Sequence, residues 1–311
     1  MSEQTKWIVQ VPVATLWTTP DSARVIDEPG LTNPLRLDEW YARMTYEPRL
    51  ALCSNNLVQS QMLFGEEVIV DRIKGYWAEI VVPSQASKKD KRGYPGWVPI
   101  HQIAEVDEHW NASTVARVIT PSAPLLNTEG EHLFDVSYLT LLSVTGKAED
   151  YVQVRTPEDG PAYVQALHVE VFASLDAIPQ GNGEDVVAAG MQFIDLPYFW
   201  GGMSSFGYDC SGFSYNMLKA AGYEIPRDAS DQVLSGKEIP LDEVAPGDLI
   251  YFAYEEGKGS VHHVAIYYGD GKMLHAPKTG KSIEVIPIEG TFYEKELCAA
   301  RRFWHETEES S

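Results

Sequence analysis

Short stretches in which apolar and polar residues alternate fill the first half of the chain, and turn residues separate them. A period of two residues is typical of strands with one buried face, so each stretch predicts a β-strand. One segment, 38–46, has helical spacing instead and interrupts the strands as an insertion. The predicted strands of this first region are 9–17, 68–70, 77–82 and 96–99.

The same order of β-prone stretches recurs more weakly further along the chain. Its clearest sign is Ala-Tyr-Val-Gln at 162–165, which matches Gly-Trp-Val-Pro at 96–99. Recurrence of a whole set of short strands indicates that one structural unit is repeated in tandem. We therefore predict two small all-β barrels, residues 1–108 with the helical insertion and residues 109–173.

The pattern changes after a linker at 174–182, which is rich in turn residues. Helical spacing at 184–193 and again after residue 210 is followed by strand-like stretches that continue to residue 304. Helices followed by a run of strands are typical of an α+β domain. We predict such a domain over residues 183–305, followed by an acidic tail at 306–311.

Cys210 is predicted to lie in the first turn of a helix. Apolar residues recur at helical spacing after it until Gly222, and Asp209 before it is suited to cap the helix. The unpaired N–H groups and the positive dipole end of a helix start favour a thiolate over a thiol. Cys210 is therefore a candidate nucleophile, although a lone cysteine at such a place is more often a small packed residue.

Three histidines follow on strand-like stretches, and one of them is a candidate base for Cys210. Neighbouring residues on a strand face opposite sides, so if His263 faces the thiol, His262 faces away. His275 lies on the next stretch and is placed to orient His263. Zinc binding by Cys210, His263 and His275 is the rival use of these residues. The chain has no closely spaced ligand motif, so we predict no metal.

The ordered motifs around these residues resemble the NlpC/P60 family of cysteine peptidases. They cover about residues 180 to 305 and comprise Tyr-Phe-Trp-Gly-Gly at 198–202, Asp-Cys-Ser-Gly at 209–212, Pro-Gly-Asp-Leu at 246–249, His-Val-Ala-Ile-Tyr-Tyr-Gly at 263–269 and Leu-His-Ala at 274–276. The resemblance implies a papain-like fold with Cys210 as nucleophile, His263 as base and His275 as the residue that orients it. The backbone N–H of Cys210, with a second donor from Tyr198, would stabilise the oxyanion.

The two barrels look like bacterial SH3-type domains, which precede the catalytic domain in part of this family. That arrangement resembles the intracellular γ-D-glutamyl-L-diamino-acid endopeptidases, and it implies a murein peptide substrate, L-Ala-γ-D-Glu-L-Lys or its diaminopimelate equivalent. By resemblance, the residues that contact the substrate are Tyr198, Asp209, Ser211, the pair Arg227-Asp228 and, from the first barrel, Tyr94.

Two further positions implied in substrate binding depart from the family pattern. Where the family has a serine after the Arg-Asp pair, this chain has Ala229. Gln59 stands in the place of an acidic residue. Both positions bear on the details of the substrate contacts.

Composition narrows the range of partners. The chain has 311 residues and a net charge of −21, which argues against nucleic acids and anionic membranes, because both need basic patches. Three widely spaced cysteines fit a reducing compartment. No stretch approaches eighteen apolar residues, and the first thirty residues lack a basic leader, so we expect a cytoplasmic protein. No cofactor motif is present.

Two other functions remain open at this stage. The chain is alternatively a wall-binding SH3-type protein with a vestigial catalytic domain, or an amidase or acyltransferase of the same fold. The sequence does not determine the oligomeric state or the choice between L-Lys and diaminopimelate.

Overall fold

A computed structural model describes residues 6–107, 110, 112–157 and 160–305 of the protein. The predicted acidic tail at 306–311 lies outside the described residues. The chain divides into two compact units. Of the described residues, those up to 84, 92–178 and 204–206 form the first unit. The second unit comprises 85–91, 179–203 and 207–305.

The first unit begins with a seven-stranded antiparallel sheet whose order is β3-β2-β6-β5-β4-β1-β7. Its strands are β1 (Lys6–Val9), β2 (Val13–Trp17), β3 (Val58–Leu63), β4 (Glu67–Lys74), β5 (Trp77–Val82), β6 (Tyr94–Pro99) and β7 (Ile103–Val106). The predicted strand 9–17 is interrupted before Val13, because Pro12 lacks the N–H that a ladder needs. The insertion contains two helices where one was predicted, α1 (Leu37–Arg43) and α2 (Tyr46–Ser54).

A second seven-stranded sheet has the order β10-β9-β13-β12-β11-β8-β14. This is the strand order of the first sheet with seven added to each strand number. Its strands are β8 (Val115–Val118), β9 (Ser122–Leu126), β10 (His132–Ser137), β11 (Leu141–Lys147), β12 (Tyr151–Arg155), β13 (Pro161–Gln165) and β14 (Val169–Phe172). Each sheet surrounds a cluster of buried, mostly aliphatic side chains, as alternation predicts, and Phe64, which directly follows β3, joins the cluster of the second sheet. The tandem repeat seen in the sequence is therefore confirmed as two sheet domains.

The second unit is an α+β domain, as predicted. Its helices are α3 (Gly183–Met191), α4 (Cys210–Ala220), α5 (Ala229–Gln232), α6 (Tyr254–Gly257) and α7 (Tyr293–Glu296). Strand β15 (Met203–Ser204) begins in this unit, and its second residue belongs to the first unit. The other strands are β16 (Gly207–Tyr208), β17 (Lys237–Glu238), β18 (Leu249–Ala253), β19 (Val261–Gly269), β20 (Lys272–His275), β21 (Glu284–Pro287) and β22 (Leu297–Arg302). Six of these strands form an antiparallel sheet in the order β17-β22-β18-β19-β20-β21.

Helix α4 packs on strands β19 and β20, which brings the start of the helix to the strands that carry His263 and His275. The sheet itself contains one buried ion pair, in which Arg302 donates to both carboxylate oxygens of Asp248 at 2.8 Å. Asp248 also accepts a hydrogen bond from the backbone of Ala245, so it ties the turn before β18 to β22. The Pro-Gly-Asp motif therefore has a structural role in this domain.

None of the helices in the described part of the chain has the length and apolar character needed to cross a lipid bilayer.

Candidate active site

The start of α4 is held by its N-cap residue, as the sequence predicts. Oδ1 of Asp209 accepts a hydrogen bond of 2.7 Å from the backbone N–H of Gly212, and Oδ2 accepts one of 2.9 Å from Gly201. A capping carboxylate stabilises the first turn of a helix by satisfying donors that have no partner within it. Cys210 is the first residue of the helix, so its position follows directly from this cap.

Two glycines let the preceding loop pass close to this first turn. A Cβ atom at Gly212 would lie 2.1 Å from the carbonyl oxygen of Gly202, and one at Gly202 would lie 2.2 Å from that of Gly207. Both distances are far below van der Waals contact, so neither position accepts a side chain without displacement of the backbone. The glycines of both motifs are therefore required by packing around the cysteine.

A buried arginine supports the cap from behind. Arg227 is 1% exposed and donates to Oδ2 of Asp209 at 2.7 Å and to Oγ of Ser211 at 2.8 Å. The Ser211 hydroxyl in turn donates to Oδ1 of Asp209 at 3.3 Å. Asp209 and Ser211, the two neighbours of Cys210, are thus hydrogen-bonded to each other and to Arg227. This network holds the backbone on both sides of the cysteine in place. The contact of Asp209 and Ser211 with substrate stays a prediction.

The state of the thiol differs from the expectation. Burial raises the pKa of Cys210 to about 12, and the nearby Asp209 carboxylate adds to the increase. The N–H groups of Val264 and Ser211 and the charge of Arg227 lower the pKa by less. The raised pKa favours the neutral thiol over the thiolate expected from the helix start, although the cysteine as a whole is only half-buried. The contact with Val264 also places the sulfur beside the residue that follows His263 on β19.

His263 and His275 are hydrogen-bonded to each other. Nε2 of His263 lies 2.9 Å from Nδ1 of His275, and both rings are buried, at 4% and 0% exposure. Burial lowers the pKa of His263 well below its ordinary value, and the neighbouring His275 and His262 lower it further. Burial also lowers the pKa of His275 to about 4. At neutral pH the two rings therefore form a neutral pair, in which a single proton bridges the nitrogens.

His262 has different surroundings from His263. Its Nε2 lies 3.1 Å from Oε2 of Glu296, and its ring stacks on Tyr254 with centroids 4.1 Å apart. The rings of His262 and His263 lie 6.5 Å apart between centroids, but the hydrogen bond to His275 is made by His263. This arrangement gives His262 a packing role next to the candidate base.

Tyr293 belongs to the site and was not singled out from the sequence. Its ring lies 5.2 Å from that of His263 and 5.3 Å from that of His275, between centroids. Burial raises its pKa, and the Cys210 thiol and the carboxylates of Glu284 and Glu296 act in the same direction. No local motif marks this tyrosine, because it enters the site from α7 only through the packing of the sheet.

The other candidate substrate residues lie in two places. Tyr198 is buried just before the loop that reaches α4, and Ala229 is the first residue of α5. Asp228 precedes α5, but its side chain makes no capping hydrogen bond. Tyr94 on β6 and Gln59 on β3 belong to the first unit. The substrate contacts of all five stay predictions.

Residues 85–91 pack against α5, within the second unit. The backbone N–H of Arg227 donates to the carbonyl oxygen of Ala86 at 3.0 Å, and that of Lys88 donates to Asp231 at 3.0 Å. Nζ of Lys89 lies 3.4 Å from Oδ2 of Asp228. The Asp228 carboxylate is therefore paired with a primary ammonium group in this structure.

Within the described ranges, 6–107, 110, 112–157 and 160–305, no three His, Cys, Asp or Glu side chains are arranged to hold a metal ion.

Two family models match the chain. The NlpC/P60 family model matches residues 195–302, which contain Cys210, His263 and His275. The model of the YKFC SH3b2 domain matches residues 118–172, within the second sheet domain.

Known proteins are similar over almost the whole length of the chain. A γ-D-glutamyl-L-lysine dipeptidyl-peptidase of Bacillus subtilis is 47% identical over 94% of this chain and 97% of its own. One of Bacillus cereus is 38% identical over 97% of this chain and 92% of its own. The crystal structure of an NlpC/P60 family protein from Bacillus cereus has a TM-score of 0.93 at 37% identity, covering 96% of this chain and 100% of that protein. The family resemblance and the fold class predicted from the sequence are thus confirmed. The chain belongs to the NlpC/P60 family of cysteine peptidases.

Proposed function

We propose that this protein hydrolyses the bond between γ-D-Glu and an L-diamino acid in murein peptides, through a thioester on Cys210. The observation that carries the proposal is the hydrogen-bonded pair His263–His275 on strands that pack against the helix started by Cys210. The names of both similar full-length peptidases describe the same bond.

The proposed reaction starts from a neutral Cys210 thiol and a neutral His263 ring. As the Cys210 sulfur attacks the γ-carbonyl carbon of D-Glu, His263 accepts the thiol proton, and the carbonyl oxygen becomes an oxyanion. Donors at the start of α4, with Tyr198, stabilise that oxyanion. The protonated His263 then gives its proton to the leaving α-amine of the diamino acid, and a thioester remains. Water attacks the thioester, and His263 takes a proton from it. As the C–S bond breaks and the L-Ala-γ-D-Glu dipeptide leaves, His263 returns that proton to the sulfur and the thiol is restored.

The preferred substrate has a free N-terminal L-Ala. A substrate ammonium group that loses water on binding requires an anionic partner, because an unpaired buried charge is strongly unfavourable. Asp228 is the candidate for that anionic partner. Its carboxylate does not cap α5, and its pairing with the Lys89 ammonium at 3.4 Å supports the binding of a primary ammonium group there. A substrate ammonium would share the carboxylate with Lys89 or replace Lys89. Such selectivity suits the recycling of released cell-wall peptides in the cytoplasm.

The activity is tested by incubating the protein with L-Ala-γ-D-Glu-L-Lys, with the diaminopimelate peptide and with a library of muropeptides. We expect mass spectrometry to show L-Ala-γ-D-Glu and the free diamino acid. Cleavage of no peptide together with binding to wall polymer would support the vestigial-domain alternative. Transfer of an acyl group to another acceptor, or release of a different amine, would support the amidase or acyltransferase alternative.

Asp228→Ala is expected to reduce the preference for the free amine. Wild-type protein should cleave free L-Ala-γ-D-Glu-L-Lys efficiently and its N-acetylated form poorly. The variant should lose roughly 10-fold or more in kcat/KM on the free peptide, which is the scale of a lost hydrogen bond to a charged group, with little change on the acetylated one. Asp242→Asn, an exposed carboxylate in the same unit, is the control. Equal kcat/KM of the wild type for both peptides would reject the role of Asp228.

A further inference from the structure

The outer ring nitrogen of His275 faces a carboxylate. Nε2 of His275 is buried and has no hydrogen-bond partner among the described residues. Oε1 of Glu284 lies 3.6 Å from it, because the two residues are directly opposite each other on β20 and β21. This distance exceeds a direct hydrogen bond, but a negative charge still acts on a buried polar group over it. Glu284, whose side chain is 44% exposed, is thus the ionic partner that the strand pairing gives this nitrogen.

The carboxylate determines which nitrogen of His275 carries the proton. Since the pKa of His275 is about 4, the ring is neutral at neutral pH and carries one proton. A proton on Nε2 points its positive end towards the Glu284 carboxylate, which is favourable. A proton on Nδ1 would instead turn the Nε2 lone pair towards that charge, which is repulsive. Glu284 therefore favours the Nε2–H form of His275.

The state of His275 determines that of His263 through the hydrogen bond between them. When Nδ1 of His275 carries no proton, it accepts the 2.9 Å bond, and Nε2–H of His263 must donate it. Nδ1 of the neutral His263 is then unprotonated and has a lone pair for the thiol proton. In the opposite form, His263 would carry its proton on Nδ1, where it could not accept one from Cys210.

We propose that Glu284 is a positioning residue that acts through His275 and keeps His263 in the form able to act as a base. It contacts neither substrate nor sulfur in this role. The inference rests on the proposed roles of Cys210 and His263 in hydrolysis. It extends the His263–His275 pair to a third residue on an adjacent strand.

Nitrogen-15 NMR of histidine-labelled full-length protein tests the inference without turnover, since protonated and unprotonated ring nitrogens have distinct shifts. A His275→Asn variant assigns the His275 signals. We expect the wild type at neutral pH to show His275 protonated on Nε2, and Glu284→Leu to show a mixture of both forms. Glu284→Gln, which keeps an oxygen acceptor, should retain most of the Nε2–H form. A wild-type proton on Nδ1 would overturn the proposal even if the variants failed to fold.

Steady-state kinetics supply the second readout. Glu284→Leu should lower kcat by roughly 10-fold with KM nearly unchanged, less than the loss of a general base, and Glu284→Gln should lower it by less. Glu289→Gln, an exposed carboxylate in the turn after β21, is the control and should match the wild type. An active wild type with an equally active Glu284→Leu would reject the inference alone, whereas an inactive wild type would reject the proposed function.

Discussion

Replacing Cys210 with alanine will abolish hydrolysis while leaving the protein folded. The thiol is the only group in the proposed mechanism that forms a bond to the substrate, so its removal leaves no path to the thioester. Alanine keeps the helix start intact, because the cap of α4 comes from Asp209 and not from the cysteine. The measurement is release of the diamino acid from L-Ala-γ-D-Glu-L-Lys, together with a thermal unfolding curve.

The other two cysteines are matched controls. Cys53 lies on α2 in the first unit, and Cys298 lies on β22, where its thiol is 3.3 Å from the carbonyl oxygen of Tyr251. Neither position begins a helix or lies beside His263. Cys53→Ala and Cys298→Ala should therefore retain nearly full turnover. Substantial activity in a folded Cys210→Ala variant would end the assignment of the nucleophile.

His263→Ala is expected to lower kcat by roughly 10²-fold or more, which is the scale of a lost general base. Because burial raises the pKa of Cys210 to about 12, very little thiolate forms without a base at neutral pH. The ring of His263 also packs on Phe252 and Tyr293, so its truncation removes volume from the core. His263→Gln keeps more of that volume and should show a similar loss of turnover if the effect is chemical.

The neighbouring histidine is the matched control for this loss. His262→Ala removes the contact with Glu296 and the stacking on Tyr254, both outside the proposed proton path. We expect a reduction of less than about 10-fold, measured with the same peptide. A larger loss for His262→Ala than for His263→Ala would reverse the assignment of the base.

Local patterns in the sequence were sufficient for the repeat, the nucleophile helix and the strands of the catalytic sheet other than the two-residue β17. Asp209 before Cys210 and Gly222 beyond the end of α4 predict the bounds of that helix, since caps depend on neighbouring residues. Alternation predicts that His262 and His263 point apart, but the pairing of β18 with β19 skips His262 at a bulge, and the two rings lie 6.5 Å apart between centroids. The two seven-stranded sheets follow the repeat of the sequence in the same way.

Tertiary packing alone decided the electrostatics of the site. The dipole at the start of α4 predicts a thiolate, yet burial raises the thiol pKa, because hydration depends on residues from distant parts of the chain. Tyr293 and Glu284 reach the histidine pair from α7 and β21, and no local motif marks either residue. The sequence by itself indicated the repeated sheet domains, the helix that begins at Cys210 and the three residues of the candidate triad. Only the folded sheet decided their proton states, because these depend on burial and on charges brought together across strands.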